Sequence, residues 1–165
     1  VSFKPEQPRD ERGRWTDGGG SGSLAHTVLD DAAHDLAPGL IGEVKGGGFS
    51  HRLSIKQRPT KGFMVSRHPK EKLTLPISVD TPEAEAVAKV EEWLHRAIPE
   101  VLKRENTYLG GWLDTDTKPH TMWFDVSDNV TTSRKHAVEM GRHQNQKAIW
   151  DVENGASIDS GGSGL

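Results

Sequence analysis

Apolar positions recur along this chain with two periods, and each stretch takes its element from the period it shows. The clearest helical stretch is "DTPEAEAVAKVEEWLHRAIPEVLKR", where Val87, Val90, Leu94, Ala97, Ile98 and Val101 return at three- and four-residue steps and form one stripe. Thr81 stands as its cap, Pro82 takes the first helical position and Glu83 sits in the first turn, where the helix dipole favours an acid. Pro99 is expected to kink or end it. Upstream, "SLAHTVLDDAAHDLAPG" has Ser23 as cap, Leu24, Val28, Leu29, Ala32 and Leu36 at helical spacing, and Pro38-Gly39 as a stop, which predicts a short helix.

Period-two patterning predicts the strands. "YLGGWLD" and "TMWFDVS" read as a hairpin joined by the turn residues of "TDTKP", with Met122, Phe124 and Val126 on one face and Thr121, Trp123, Asp125 and Ser127 on the other. "GFMVS" and "QKAIWDV" read as further short strands, and "FSHRLSI" as a brief one before Pro59. In "KLTLPISV" the alternation is good, but Pro76 restricts it to an edge or a connection. Ser133 caps a last helix whose inner face is Ala137, Met140 and Gly141.

Taken from Gly62, the elements run strand, helix, strand, strand, helix, strand. That order predicts an α+β fold: a four-stranded antiparallel sheet with two helices on one face, the ferredoxin-like βαββαβ arrangement, with a flexible N-terminal arm. The expected organisation is a linker-like arm over 1–23, a short helix and Gly-rich segment over 24–61, the α+β module over 62–152 and a disordered tail over 153–165.

Composition sharpens this picture at the ends. Of the 18 glycines, nine fall between Gly18 and Gly48, and the arm "VSFKPEQPRDERGRWTDGGGSGS" has the composition of an interdomain linker, so the chain reads as a segment of something longer. Three apolar residues there cannot offset the ordering entropy, and Trp15 is the exception to that composition. With 21 basic and 24 acidic side chains the net charge is −3, which makes nucleic acid an unexpected partner. The absence of cysteine excludes disulfides, thiolate metal sites and a Cys nucleophile. No apolar run reaches the ~20 residues of a membrane span, so no membrane association is expected.

Three strings, "TKGFMVSRHP", "YLGGWLDTDTKPHTMWFDVS" and "NQKAIWDVENGASI", occur in this order with a helix between the first two. Together they resemble an uncharacterised accessory module of actinobacterial phage and prophage head-associated proteins, and "PRDERGRWTDGG" resembles the linkers of such proteins. The resemblance covers about residues 60–158 and the first twenty. It implies a virion or bacterial-host-cytoplasm setting and carries no established activity, so it transfers no catalytic residue. The hairpin departs from the pattern at His120 and Met122.

Candidate chemistry is sparse. His26, Asp30 and His34 share a helix face at metal-ligand spacing, but a wet amphipathic face explains them, and no metal or cofactor is expected. His136 and His143 raise the same idea more weakly. Asp114, Asp116 and Asp125 with His120 could supply acid and base groups, yet turns require Asp at such positions. No nucleophile elbow or phosphate-cradling loop is present. Exposed aromatics on a ferredoxin-like sheet could stack RNA bases, but the neighbouring carboxylates oppose phosphate. "HRLSIKQRPTK" and "SRKHAVEMGRH" are basic stretches that form a patch only if they meet in space. Trp93, Trp150 and Phe124 read as core. The sequence therefore predicts a non-catalytic module for protein contact or scaffolding, with Trp112, Trp123, Asp125 and His120 as the binding residues. The alternatives are an effector enzyme acting on nucleic acid or nucleotide through the hairpin carboxylates and a histidine, and an inhibitor of a host defence protein.

Overall fold

The computed structural model describes residues 23–66 and 74–164, with side chains from residue 27. Its elements are α1 (Ser23–Lys45), β1 (Gly48–His51), β2 (Phe63–Ser66), β3 (Leu75–Ser78), α2 (Glu83–Leu102), β4 (Thr107–Asp114), β5 (Thr121–Val130), α3 (Arg134–His143), β6 (Ala148–Asp151) and β7 (Ala156–Asp159). The four-stranded, two-helix arrangement is therefore not the fold. Seven antiparallel strands form one curled sheet in the order β1-β4-β5-β2-β6-β7, and three helices accompany it. The seventh strand, β3, stands outside that order because β5 is long enough to pair with two strands on one side: β3 lies along residues 121–124 and β2 along 127–130.

Three features account for the difference. Pro38 does not end α1, because the buried stripe Ala33, Ala37, Leu40, Ile41 and Val44 runs through it while Pro38 itself stays on the exposed side. Burial along that face outweighs the single backbone hydrogen bond the proline removes. The stripe is also displaced from the one expected, since Val28 is 67% exposed. Next, β1 and β3 are strands of only four residues that gain their stability from long neighbours, β4 and β5. Finally, the segment expected as a disordered tail forms β7 on β6. Beyond β7 it continues with Ser160, Gly162 and Gly164 donating backbone hydrogen bonds to the carbonyls of Lys147, Gln146 and Asn145.

All three helices lie on one face of the sheet. In β5 the alternation is the one the sequence indicates: Met122, Phe124 and Val126 are buried toward α1 and α2, together with Leu109, Trp93, Leu94 and Val90. Trp93 and Phe124 meet with ring centroids 5.6 Å apart and tilted by 52°, the geometry aromatic pairs prefer. A smaller cluster of Val65, Val130, Ala137 and Ile149 is covered by α3, whose Ser133 hydroxyl accepts from the His136 backbone N–H as its cap requires. Pro99 lies within α2, which extends to Leu102.

Polar contacts tie the first helix and strand to the rest, so residues 24–61 belong to the same core as the module that follows. Asp30 pairs with His95 at 3.1 Å and His34 with Glu91 at 2.9 Å, both between α1 and α2. His51 is buried with its two ring nitrogens facing the Glu43 carboxylate at 2.7 Å and the Arg52 carbonyl at 2.9 Å. Arg52 sends its guanidinium to the end of α2, donating to the carbonyls of Val101, Arg104, Glu105 and Thr107 at 2.7–3.1 Å. The Val101 carbonyl belongs to the last turn of α2, where a cation is favoured, and the other three lie between α2 and the first residue of β4.

Candidate functional site

The face of the sheet away from the helices is set by the register of β4 on β5. Gly110 stands opposite Asp125, Trp112 opposite Trp123 and Asp114 opposite Thr121. Directly opposed residues share a face, so Tyr108, Gly110, Trp112 and Asp114 line this surface beside Thr121, Trp123, Asp125 and Ser127. Met64 and Ser66 of β2, Pro76 of β3 and Trp150 of β6 join it through their own registers.

The connection between β4 and β5 is built by turn chemistry. Asp114 Oδ1 accepts the Asp116 backbone N–H at 3.0 Å, and the Thr117 hydroxyl bonds the Asp114 carbonyl and the Thr121 hydroxyl. The Lys118–Pro119 peptide is cis, and the His120 carbonyl accepts from Val79 N–H at 2.9 Å, which anchors the start of β5 to the end of β3. Asp116 is exposed and pairs with Lys147 at 3.3 Å.

Two features dominate the surface this hairpin presents. Trp112 and Trp123 stack nearly parallel, with centroids 6.2 Å apart and an 11° interplanar angle, and Trp112 remains 42% exposed. The Trp123 indole N–H is sealed from solvent and has no acceptor among the described residues. Beside the pair, Asp125 occupies a recess that exists because residue 110 has no side chain: a Cβ there would lie 2.5 Å from Asp125 Oδ1. The Ser127 hydroxyl donates to that oxygen at 3.1 Å and the Ser66 hydroxyl also bonds the carboxylate. Burial pushes the Asp125 carboxyl above its ordinary value of 3.8, against the opposing pull of the two serines. No cation among the described residues pairs with it.

Three of the four residues expected to bind are thus brought together. Trp112, Trp123 and Asp125 form one contiguous patch, whereas His120 lies outside the strand, five positions before Asp125. Asp114 is four register positions from Asp125, roughly 13 Å at the rise of an extended strand. His136 is on α3, across the sheet. The carboxylates and histidines considered for acid–base chemistry therefore stand apart. Of the residues considered for metal, Asp30 and His34 are turned to partners on α2, the His26 side chain lies outside the described residues, and among those described no group of three metal-ligating side chains occurs. Trp15 also lies outside them.

Trp150 corrects an expectation: it is 43% exposed, on the same face as the tryptophan pair, while Trp93 and Phe124 are fully buried. Ser127 falls on this face by parity within β5, whereas Gly110 and Ser66 are parts of the site that the sequence does not indicate. The only signal for Gly110 is its position opposite Asp125, which needs the hairpin register. In the first basic stretch Arg52 is turned to the end of α2 and Arg58 contacts Glu43, while Lys56 and Lys61 are exposed.

Comparison with protein-family models, with curated proteins and with solved structures finds no match to this chain. No helix among the described residues is long and apolar enough to cross a membrane.

Proposed function

We propose that this chain is a non-catalytic recognition module that docks a protein partner on its helix-free sheet face, as an accessory part of a longer phage or prophage polypeptide. The observation that carries the reading is the stacked Trp112–Trp123 pair, held rigid by a full-length antiparallel ladder yet still open to solvent. Rigid, partly exposed tryptophans lose little entropy on binding and are the usual anchors of protein contact surfaces. Trp150 extends the aromatic surface across β6. The phage setting is supported by the resemblance of the β2, hairpin and β6 strings to head-associated accessory modules, and a virion or host-cytoplasm location follows from it.

Selection from a random peptide library on the immobilised protein tests the docking reading. Enriched peptides should bind the wild type and lose at least tenfold in affinity on Trp112→Ala/Trp123→Ala protein whose fold is verified by its amide spectrum. Undiminished binding to the double variant would remove this face from the account.

A further inference from the structure

We propose that the Asp125 recess receives the guanidinium of an arginine presented by the protein partner, with the cation lying against Trp123 and donating to the carboxylate. The inference rests on the docking reading above and names the chemistry of its partner.

The first argument is charge. The registers of the seven strands put Asp114, Asp125 and Asp159 on the helix-free face, and none of the described strand positions on that face is lysine or arginine. Asp114 is occupied by its own turn. Among the described residues Asp125 is held by the Ser66 and Ser127 hydroxyls alone, which leave lone-pair positions on the carboxylate for a further donor. A half-buried carboxylate with hydroxyl partners alone is poorly compensated in the free protein. A cation supplied from outside relieves that cost, and a phosphate-bearing partner would add to it.

The second argument is shape. Trp123 is two residues along β5 from Asp125, so its side chain stands beside the recess on the same face. A flat cation can then touch the indole and the carboxylate together. Guanidinium is planar, stacks on aromatic faces and presents a fork of donors to a carboxylate, whereas an ammonium does neither as well. Glycine at 110 lets the Asp125 carboxylate lie across β4 with no side chain of residue 110 beside it.

The test is an amide-shift titration of the full chain with three capped tripeptides, Gly-Arg-Gly, Gly-Lys-Gly and the uncharged isostere Gly-citrulline-Gly. The arginine peptide should give saturable shifts at residues 108–112 and 123–127, with the citrulline peptide at least tenfold weaker and the lysine peptide between them. Asp125→Asn, which keeps the serine hydrogen bonds, should bind the arginine and citrulline peptides alike. No saturable shift with the arginine peptide, shifts on the helical face, or a preserved arginine preference in Asp125→Asn would overturn the proposal. A single-stranded oligonucleotide shifting the same amides more tightly would overturn the choice of partner. Library peptides that require Trp112 and Trp123 but carry no arginine and ignore Asp125→Asn would sink this inference while leaving the docking face intact.

Discussion

Gly110 and Asp125 are direct cross-strand partners, and the carboxylate of one occupies the space where a side chain of the other would be. A methyl group at 110 must displace Asp125 Oδ1, 2.5 Å away, so Gly110→Ala should destabilise by about 1–3 kcal/mol as an overpacking change. Asp125→Ala opens that space. In a double-mutant cycle read by urea unfolding, Gly110→Ala should cost much less in the Asp125→Ala background, with a coupling of about 1 kcal/mol or more. Additive costs would show that the recess is not formed by this pair.

The two shifted carboxylates act on stability in opposite directions. Asp125 has a raised pKa in the folded state because of burial, so between 3.8 and that value the native protein holds more protons than the unfolded chain, and stability falls as pH rises through this window. Asp125→Asn should therefore melt higher than wild type at neutral pH, by roughly 2–4 °C, and the advantage should vanish below the window. Asp151 is held below 3.8 by hydrogen bonds from the side chain and backbone of Asn154 in the β6–β7 turn. Its contribution is present above 3.8 and lost as pH falls through its folded value, so Asp151→Ala should melt lower at neutral pH and converge on wild type in acid. Melting curves across pH check both signs.

Arg52 bonds four carbonyls with one planar group, one in the last turn of α2 and three between there and the first residue of β4. Replacement by alanine should cost about 2–3 kcal/mol, since charge-assisted hydrogen bonds are lost and the carbonyls are left without the donor. Lysine keeps the charge but not the fork, and Arg52→Lys should recover less than half of the loss in denaturant unfolding. Full recovery by lysine would assign the effect to the helix dipole alone.

The segment after β7 is part of the fold. Ser160 is buried, its hydroxyl donates to the Gln146 carbonyl, and Asn145 and Ser163 exchange side-chain and backbone hydrogen bonds. A Cβ at Gly162 would collide with the Gln146 carbonyl. Gly162→Ala should lower stability by about 1–3 kcal/mol, and the amides of Ser160, Gly162 and Gly164, which donate to the carbonyls of Lys147, Gln146 and Asn145, should be protected from hydrogen exchange in the full chain. Fast exchange at all three amides would contradict the pairing.

How far the fold was legible depended on whether a stretch shows its own pattern or only its place beside a neighbour. The 3.6-residue stripe of α2 and the strict alternation of Met122, Phe124 and Val126 each span enough residues to identify the element and its inner face, and the structure keeps both. The alternation of β3 is present, but Pro76 makes it read as an edge or connection; β1 reads as a brief run outside the module, and β7 lies in a stretch that reads as a tail, so membership of all three in the sheet comes from the edges that β4, β5 and β6 offer. Without them the count stops at four strands. Pro38 misled in α1 because local propensity is overridden by a buried stripe that continues beyond it. At the site, Trp112, Trp123 and Asp125 could be placed on one face by parity, but Gly110, Ser66 and Trp150 join it through registers that no single strand encodes. His120 was grouped with them by nearness in sequence, and the turn takes it out of the strand.

The claim that the tryptophan-bearing face is where this protein meets its partner is tested most directly by the indole N–H resonances of Trp112, Trp123 and Trp93 during titration with the tightest library-selected peptide. The account predicts that the Trp112 and Trp123 signals move and saturate together with the amides of β4 and β5, while the core Trp93 signal stays in place. Saturation accompanied by shifts confined to α1, α2 or α3, with the Trp112 and Trp123 signals unmoved, would contradict it.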